Sequence, residues 1–149
     1  MRRANITRKQ AHLLLLIISF LLILFFTFVI KETFEFRTTA SRGISLTPFR
    51  ELVAMIKQPN HMHYFWQIVL NIILFIPFGF SLSTYLNCHK APRSLFFSVL
   101  LTAFLLSASV EVLQYLTSRG FTEVDDVINN TLGAVIGWWG DERVLKRRG

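Results

Sequence analysis

Three long apolar runs constrain this chain more than any other feature of its sequence. Residues 12–30 and 65–86 contain no Asp, Glu, Lys or Arg, and residues 94–118 contain one charged side chain, Glu111. A helix of about 20 apolar residues spans the roughly 30 Å hydrocarbon core of a bilayer. A fourth run, residues 127–139, is shorter, but its flanks can extend a helix to near Leu145. We therefore predict an all-α membrane protein with about four transmembrane helices, folded as one domain over residues 1–149.

The basic residues predict how these helices are oriented. Four of them precede the first run within residues 2–9, and Lys90 and Arg93 separate the second run from the third. Arg119, in contrast, shares its connecting segment with three acidic residues. Because Lys and Arg in short segments favour the cytoplasmic side, we predict a multi-pass protein of the cell membrane with cytoplasmic N- and C-termini. Its net charge of +7 then reflects topology and attraction to anionic lipids, so the predicted partners are membrane lipids and not nucleic acid.

The segment between the first two runs, which this orientation places outside, contains a short predicted helix. Thr47 suits a helix N-cap, and Pro48 suits the first helical position, where its missing N–H costs nothing. Apolar residues then recur at helical spacing until Pro59 forbids continuation; they are Phe49, Leu52, Val53 and Ile56. This pattern predicts a short amphipathic helix in the first outer loop. The helix lies on the outer leaflet or covers the ends of the other helices, and the two roles are compatible.

Small residues and one proline predict where the helices pack closely. Pro77 removes a backbone donor inside the second run, which favours a bend that improves packing. Gly79 follows it, and Gly133 and Gly137 form a GxxxG pair in the fourth run. Glycine lets a second backbone approach closely. We predict that these four residues shape helix packing.

Polar side chains on three of the predicted helices fall at one depth in the membrane. Glu111 and Gln114 share one helix face, Asp126 and Asn130 share another, and Asn71 lies less than two turns from the outer end of its helix. An ionisable residue inside a membrane is a functional-site hypothesis by default. The sequence therefore predicts an outward-facing polar site.

Two kinds of role are available to these five residues. Glu111 and Asp126 are candidate catalytic residues, as a general acid and base or as proton carriers. Asn71, Gln114 and Asn130 are candidate ligand-binding residues, because an amide both donates and accepts hydrogen bonds. The alternative is that all five only hold helices together, at about 0.6 kcal/mol per bond. The sequence leaves both interpretations open.

Metal and cofactor signals are weak. His61 and His63 are two residues apart in the outer segment, but no Cys or nearby carboxylate completes a ligand set. No phosphate-binding loop, GxSxG or zinc-protease motif occurs. We predict no metal and no cofactor.

Four motifs in a fixed order resemble the VanZ-like family of small bacterial membrane proteins. They are residues 46–49 (LTPF), 71–79 (NIILFIPFG), 111–114 (EVLQ) and 126–133 (DVINNTLG), with Gly137 following. Together they lie within residues 44–140, and their combination is far more specific than any one of them.

This resemblance implies a multi-pass protein of the bacterial cell envelope that is associated with low-level resistance to teicoplanin, a lipid-bearing glycopeptide antibiotic. The function we predict is engagement of a lipid-linked or lipid-bearing ligand by the outward-facing polar site. Two alternatives are a membrane enzyme acting on a lipid or cell-wall precursor, with Glu111 or Asp126 as acid or base, and a structural subunit of a membrane complex.

Overall fold

The computed structural model describes residues 2–30, 43–59, 61–88, 94–117 and 122–146. Within them the chain forms five α-helices, namely α1 (Arg2–Phe25), α2 (Arg50–Lys57), α3 (His61–Cys88), α4 (Leu95–Thr117) and α5 (Val124–Lys146). A π-helical turn, Phe26–Ile30, extends α1, and two-residue strands β1 (Ile44–Ser45) and β2 (Thr122–Glu123) pair in parallel. The all-α prediction is confirmed. Lys90, Arg93 and Arg119, on which the predicted orientation depends, lie outside the described residues.

In the part of the chain that the structure describes, three helices are long and apolar enough to cross a membrane: Lys9–Val29, His61–Cys88 and Leu95–Thr117. Many of their Leu, Ile, Phe and Val side chains point away from the rest of the protein, as expected where hydrocarbon is the solvent. The chain is a membrane protein. Helix α5 has 23 residues and reaches Lys146, but it is not among these three, so the fourth span stays a prediction.

Helices α3 and α5 form the most extensive contact of the fold. A Cβ atom on Gly133 would overlap the carbonyl oxygen of Ile72, and one on Gly137 would overlap that of Ile76. Gly79 of α3 meets the backbone of Ala134 in the same way. The two backbones therefore touch at these three glycines, where a larger residue would block the approach. Pro77 lies inside α3, which continues through it.

A small apolar core holds the other helices against this pair. Phe75 and Phe78 of α3 pack edge to face, with ring centroids 6.0 Å apart, and Ile23 brings α1 to the same cluster. Val99, Ala103 and Val110 bring α4 to it. Because few of the large apolar residues lie in this core, most of the apolar surface is available to lipid.

Helix α2 starts differently from the prediction. The helix begins at Arg50, so the prediction of Thr47 as N-cap and Pro48 as first helical residue is wrong. The N-cap is Phe49, which adopts a left-handed conformation (φ 62°, ψ 19°) and makes no capping bond with its own side chain. Such a conformation is strained for a bulky residue, by about 1–3 kcal/mol. It persists because a residue remote in sequence supplies the cap, as described below.

Candidate functional site

The start of α3, the end of α4 and the start of α5 lie at the same end of the bundle, which we call the polar end. Buried acids meet buried and half-buried amides there, from five segments in all, and we call these residues the polar cluster. Its members are Glu51, Asn71, Glu111, Glu123, Asp125, Asp126, Asn129 and Asn130. All five of its acids are buried, with exposed fractions of 7% or less. Carboxylates are rarely buried this deeply unless they are paired.

Asp126 is the most deeply buried acid of the polar cluster, with 1% of its surface exposed. It lies in the first turn of α5, where the helix dipole favours a negative charge. Asn71 of α3 donates an amide hydrogen bond to its Oδ1 atom, at 2.5 Å. The structure thus joins two of the predicted site residues, although they are 55 positions apart in the chain.

Glu111 binds the backbone of the strand that precedes α5. Its Oε2 atom accepts a hydrogen bond from the backbone N–H of Glu123, at 3.1 Å. The hydroxyl of Thr122 donates to the backbone carbonyl of Glu111, also at 3.1 Å. These contacts fix β2 against α4, and Thr122 in turn donates its backbone N–H to the carbonyl of Gly43 beside β1. Glu111 therefore lies where both connecting segments of the polar end converge.

Asp125 supplies the cap that α2 lacks locally. Its Oδ1 atom accepts the backbone N–H of Phe49 at 2.5 Å, and its Oδ2 atom accepts that of Glu51 at 2.7 Å. One carboxylate therefore binds two of the N–H groups that a helix start leaves unpaired, with charge-assisted bonds that stabilise more than neutral ones. This capping residue lies more than 70 positions away along the chain.

The buried face of α2 adds a further acid. Glu51 is 4% exposed, and its Oε2 atom accepts a hydrogen bond from the amide of Asn129 at 3.2 Å. Next to it, Arg50 forms a salt bridge with Glu123, at 3.2 Å, from a side chain that is 54% exposed. A pair this close to solvent contributes little to stability, so its main effect is to place a cation beside the polar cluster.

The amides on the α4 side are only partly satisfied by hydrogen bonds. Asn130 donates to the hydroxyl of Ser107, at 2.8 Å. Gln114 is 1% exposed and lies one turn beyond Glu111 on α4. Among the described residues, neither Asn130 Oδ1 nor Gln114 Oε1 has a hydrogen-bond partner. Ser118, which continues this helix face in the sequence, lies outside those residues.

Three of the acids come close enough to act together. One carboxylate oxygen from each of Glu51, Glu123 and Asp126 lies within 4.8 Å of the others. Carboxylates at this spacing can share a proton, surround a cationic group or bind a hard divalent cation. The polar cluster is therefore chemically suited to protons and cations, and its amides add hydrogen-bonding capacity.

Sequence reasoning missed three of the acids in this arrangement: Glu51, Glu123 and Asp125. Glu51 lies opposite the apolar face of α2, and an acid in that position normally faces water. The signal for Asp125 was its place directly before Asp126, since adjacent positions on a helix point about 100° apart and can serve two neighbouring elements. Glu123 carried no periodic signal, because its burial depends on the pairing of β1 with β2.

The chain is similar to known proteins over most of its length. The VanZ/LLP1 family profile matches residues 12–140. The curated Protein VanZ of Enterococcus faecium is 31% identical over 97 residues, which cover 64% of this chain. The chain spans about half the length of that relative, with 50% of it covered. No solved structure matches the chain significantly.

Proposed function

The chain belongs to the VanZ/LLP1 family, and we propose that it is a bacterial envelope protein that lowers susceptibility to teicoplanin. In this proposal the polar end faces outward, and the polar cluster engages a lipid or a lipid-bearing molecule in the outer leaflet. The family resemblance supports the role against teicoplanin, and the long apolar helices support a location in the membrane. The convergence of Glu111, Asp126 and Asn71 supports the site.

The observation that carries the proposal is the number of buried acids at one end of a small bundle. Five carboxylates come together there from four segments, and a hydrogen bond that joins membrane helices contributes only about 0.6 kcal/mol on average. Acids are costly to bury, and neutral side chains could join the helices at lower cost. A role in recognition or proton transfer accounts for their retention.

A pair of substitutions at Glu111 tests the proposal. Glu111→Gln keeps an oxygen that can accept the Glu123 N–H bond but removes the charge and the proton. Glu111→Leu removes all three. We expect Glu111→Gln to be as abundant in the membrane as the wild type but not to protect cells, and Glu111→Leu to be less abundant, because it leaves the Glu123 N–H without its acceptor. The measurements are the amount of protein in the membrane and the teicoplanin susceptibility of cells that express it.

Two arms make this experiment decisive. The first arm uses a glycopeptide that lacks a lipid chain. If the protein engages the lipid, it should protect cells less against this compound than against teicoplanin. An abundant, fully protective Glu111→Gln protein would contradict every role that depends on the charge or the proton. Equal protection against both glycopeptides would contradict engagement of the lipid.

A second candidate function is a membrane enzyme that acts on a lipid or a cell-wall precursor. It is favoured by the 4.8 Å grouping of the Glu51, Glu123 and Asp126 carboxylates, since acid–base catalysis needs neighbouring groups that exchange a proton. In that case Asp126→Asn would abolish turnover of the precursor while leaving its binding intact. Pure recognition would instead lose binding and protection together.

A further inference from the structure

Helix α2 has its two faces arranged opposite to those of a helix on a water-soluble protein. Its polar residue Glu51 is buried against the polar cluster, whereas Ile56 on the other side is 75% exposed. The apolar side chains exposed on and just before α2 are Ile44, Leu46, Phe49, Leu52, Val53 and Ile56; we call them the α2 apolar face. An apolar patch of this kind marks a surface that binds something other than water.

Two neighbouring features indicate what covers this face. The first turns of α3 expose Met62, Phe65 and Trp66, and Tyr64 donates a hydrogen bond to Gln58 at the end of α2, at 2.9 Å. Aromatic residues at the end of an apolar spanning helix belong to the boundary between lipid head groups and hydrocarbon. The Tyr64–Gln58 bond therefore holds the end of α2 next to a surface that belongs at this boundary.

The charges on α2 fit the same surroundings. Lys57 is exposed, and the Arg50 side chain is half exposed beside the apolar face. Basic side chains beside an apolar helix face are typical of helices that lie in the membrane interface, where anionic phosphates attract them. A second protein chain would offer neither a hydrocarbon phase nor a layer of phosphates.

We infer that α2 is a lipid-contacting cover of the polar cluster. Its apolar face lies in the hydrocarbon boundary of the bilayer, while its buried face closes the cluster through the contacts to Asp125, Asn129 and Glu123. An amphiphile that enters this leaflet meets α2 before it meets the acids. This inference goes beyond the proposed role against teicoplanin, since it concerns the lipid bilayer alone.

The test places an environment-sensitive dye on either side of α2. In the full chain with Cys88→Ser, Ile56→Cys carries the dye on the apolar face, and Lys57→Cys carries it about 100° away on the charged side. Each protein is reconstituted in vesicles of phosphatidylcholine and phosphatidylglycerol, with either spin-labelled acyl chains or aqueous iodide as the quencher. Thermal unfolding of both variants in detergent checks that they are folded.

We expect the dye at position 56 to be quenched several-fold more by the spin-labelled lipid than by iodide, and the dye at position 57 to show the reverse. Equal iodide quenching at both positions would show that α2 lies in water, and would overturn the inference. Protection of position 56 from both quenchers would show that protein covers the face, and would also overturn it. No glycopeptide is present in the vesicles, so failure here would leave the proposed role against teicoplanin standing.

Discussion

The two ends of the α3–α5 contact both contain buried carboxylates, but they are built differently. At the end away from the polar cluster, Asp141 of α5 is 2% exposed. Its Oδ2 atom accepts the hydroxyl of Ser83 at 2.6 Å, and its Oδ1 atom accepts that of Thr84 at 3.0 Å. Both donors come from α3, so one acid joins two helices with each oxygen bound.

At the polar end, five acids and several amides from five segments come together, and Asn130 Oδ1 has no hydrogen-bond partner among the described residues. The contrast shows what interhelical hydrogen bonding alone requires in this protein: one acid and two hydroxyls suffice. The polar cluster exceeds that requirement in charge and in the number of segments it joins. Under the proposed function this excess marks the polar cluster as a candidate site, and substitutions test the difference between the two ends.

The largest effect on stability is expected from a methyl group added at Gly133, in the α3–α5 contact between the two ends. Gly133→Ala would place a Cβ atom onto the backbone of Ile72, so α3 and α5 must separate. Overpacking costs about 1–3 kcal/mol in ordinary cores, and backbone atoms yield less than side chains, so we expect a value at or above the top of that range. The measurement is the amount of folded protein extracted from the membrane and its thermal unfolding.

Gly140→Ala is the matched control. A Cβ atom there would lie 3.8 Å from the Phe80 side chain, an ordinary contact, and alanine favours a helix over glycine by about 1 kcal/mol. We expect this variant to be at least as stable as the wild type. If Gly133→Ala were equally well tolerated, the close contact between α3 and α5 would not be what holds the two ends in one structure.

A smaller effect is expected at the cap of α2. Asp125→Asn keeps one acceptor oxygen for the N–H groups of Phe49 and Glu51 and turns the other into a donor. We expect a loss of about 1–2 kcal/mol, which raises the population of undocked α2 about 5- to 30-fold. Trypsin cleavage after Arg50, which requires α2 to open, measures this population in vesicles.

Glu142→Gln, at the opposite end of α5, serves as the control and should leave the cleavage rate unchanged. A cleavage rate for Asp125→Asn equal to that of the wild type would mean that α2 is held without its cap. The polar cluster would then lack the cover that sets it apart from the opposite end.

Sequence patterns predicted the features that arise from solvent and from local geometry. The long helices follow from apolar run length, and the close α3–α5 contact involves the glycines that the GxxxG spacing pointed to. Asn71 and Asp126 were predicted to lie at one depth in the membrane, and the structure brings them within hydrogen-bonding distance of each other.

Features that depend on remote partners could not be read from local patterns. The Thr47 N-cap was wrong because capping rules consider only residues next to the helix start, whereas the α2 cap is Asp125. Glu51 was missed because the spacing of apolar residues in a short amphipathic helix does not indicate which face packs against the rest of the protein. Here Glu51 is 4% exposed and Ile56 is 75% exposed, so the apolar face is the exposed one.

The smallest effect is expected at Asp141, and it tests the contrast between the two ends most directly. Asp141→Asn keeps one oxygen that accepts from a hydroxyl, and its new amide can donate to the other hydroxyl, since Ser and Thr both donate and accept. The contact to Ser83 and Thr84 can therefore form again, at a cost of roughly 0.6–1 kcal/mol. We expect membrane abundance and teicoplanin protection both to stay near the wild type, in contrast to Glu111→Gln, which should keep abundance and lose protection.

Asp141→Leu is the companion variant, and it should lower abundance because it leaves the Ser83 hydroxyl buried without an acceptor. If Asp141→Asn were abundant but did not protect, a charge at each end of the α3–α5 contact would be needed for function. Asp141 would then be part of the functional site together with the polar cluster, and not a purely structural contact.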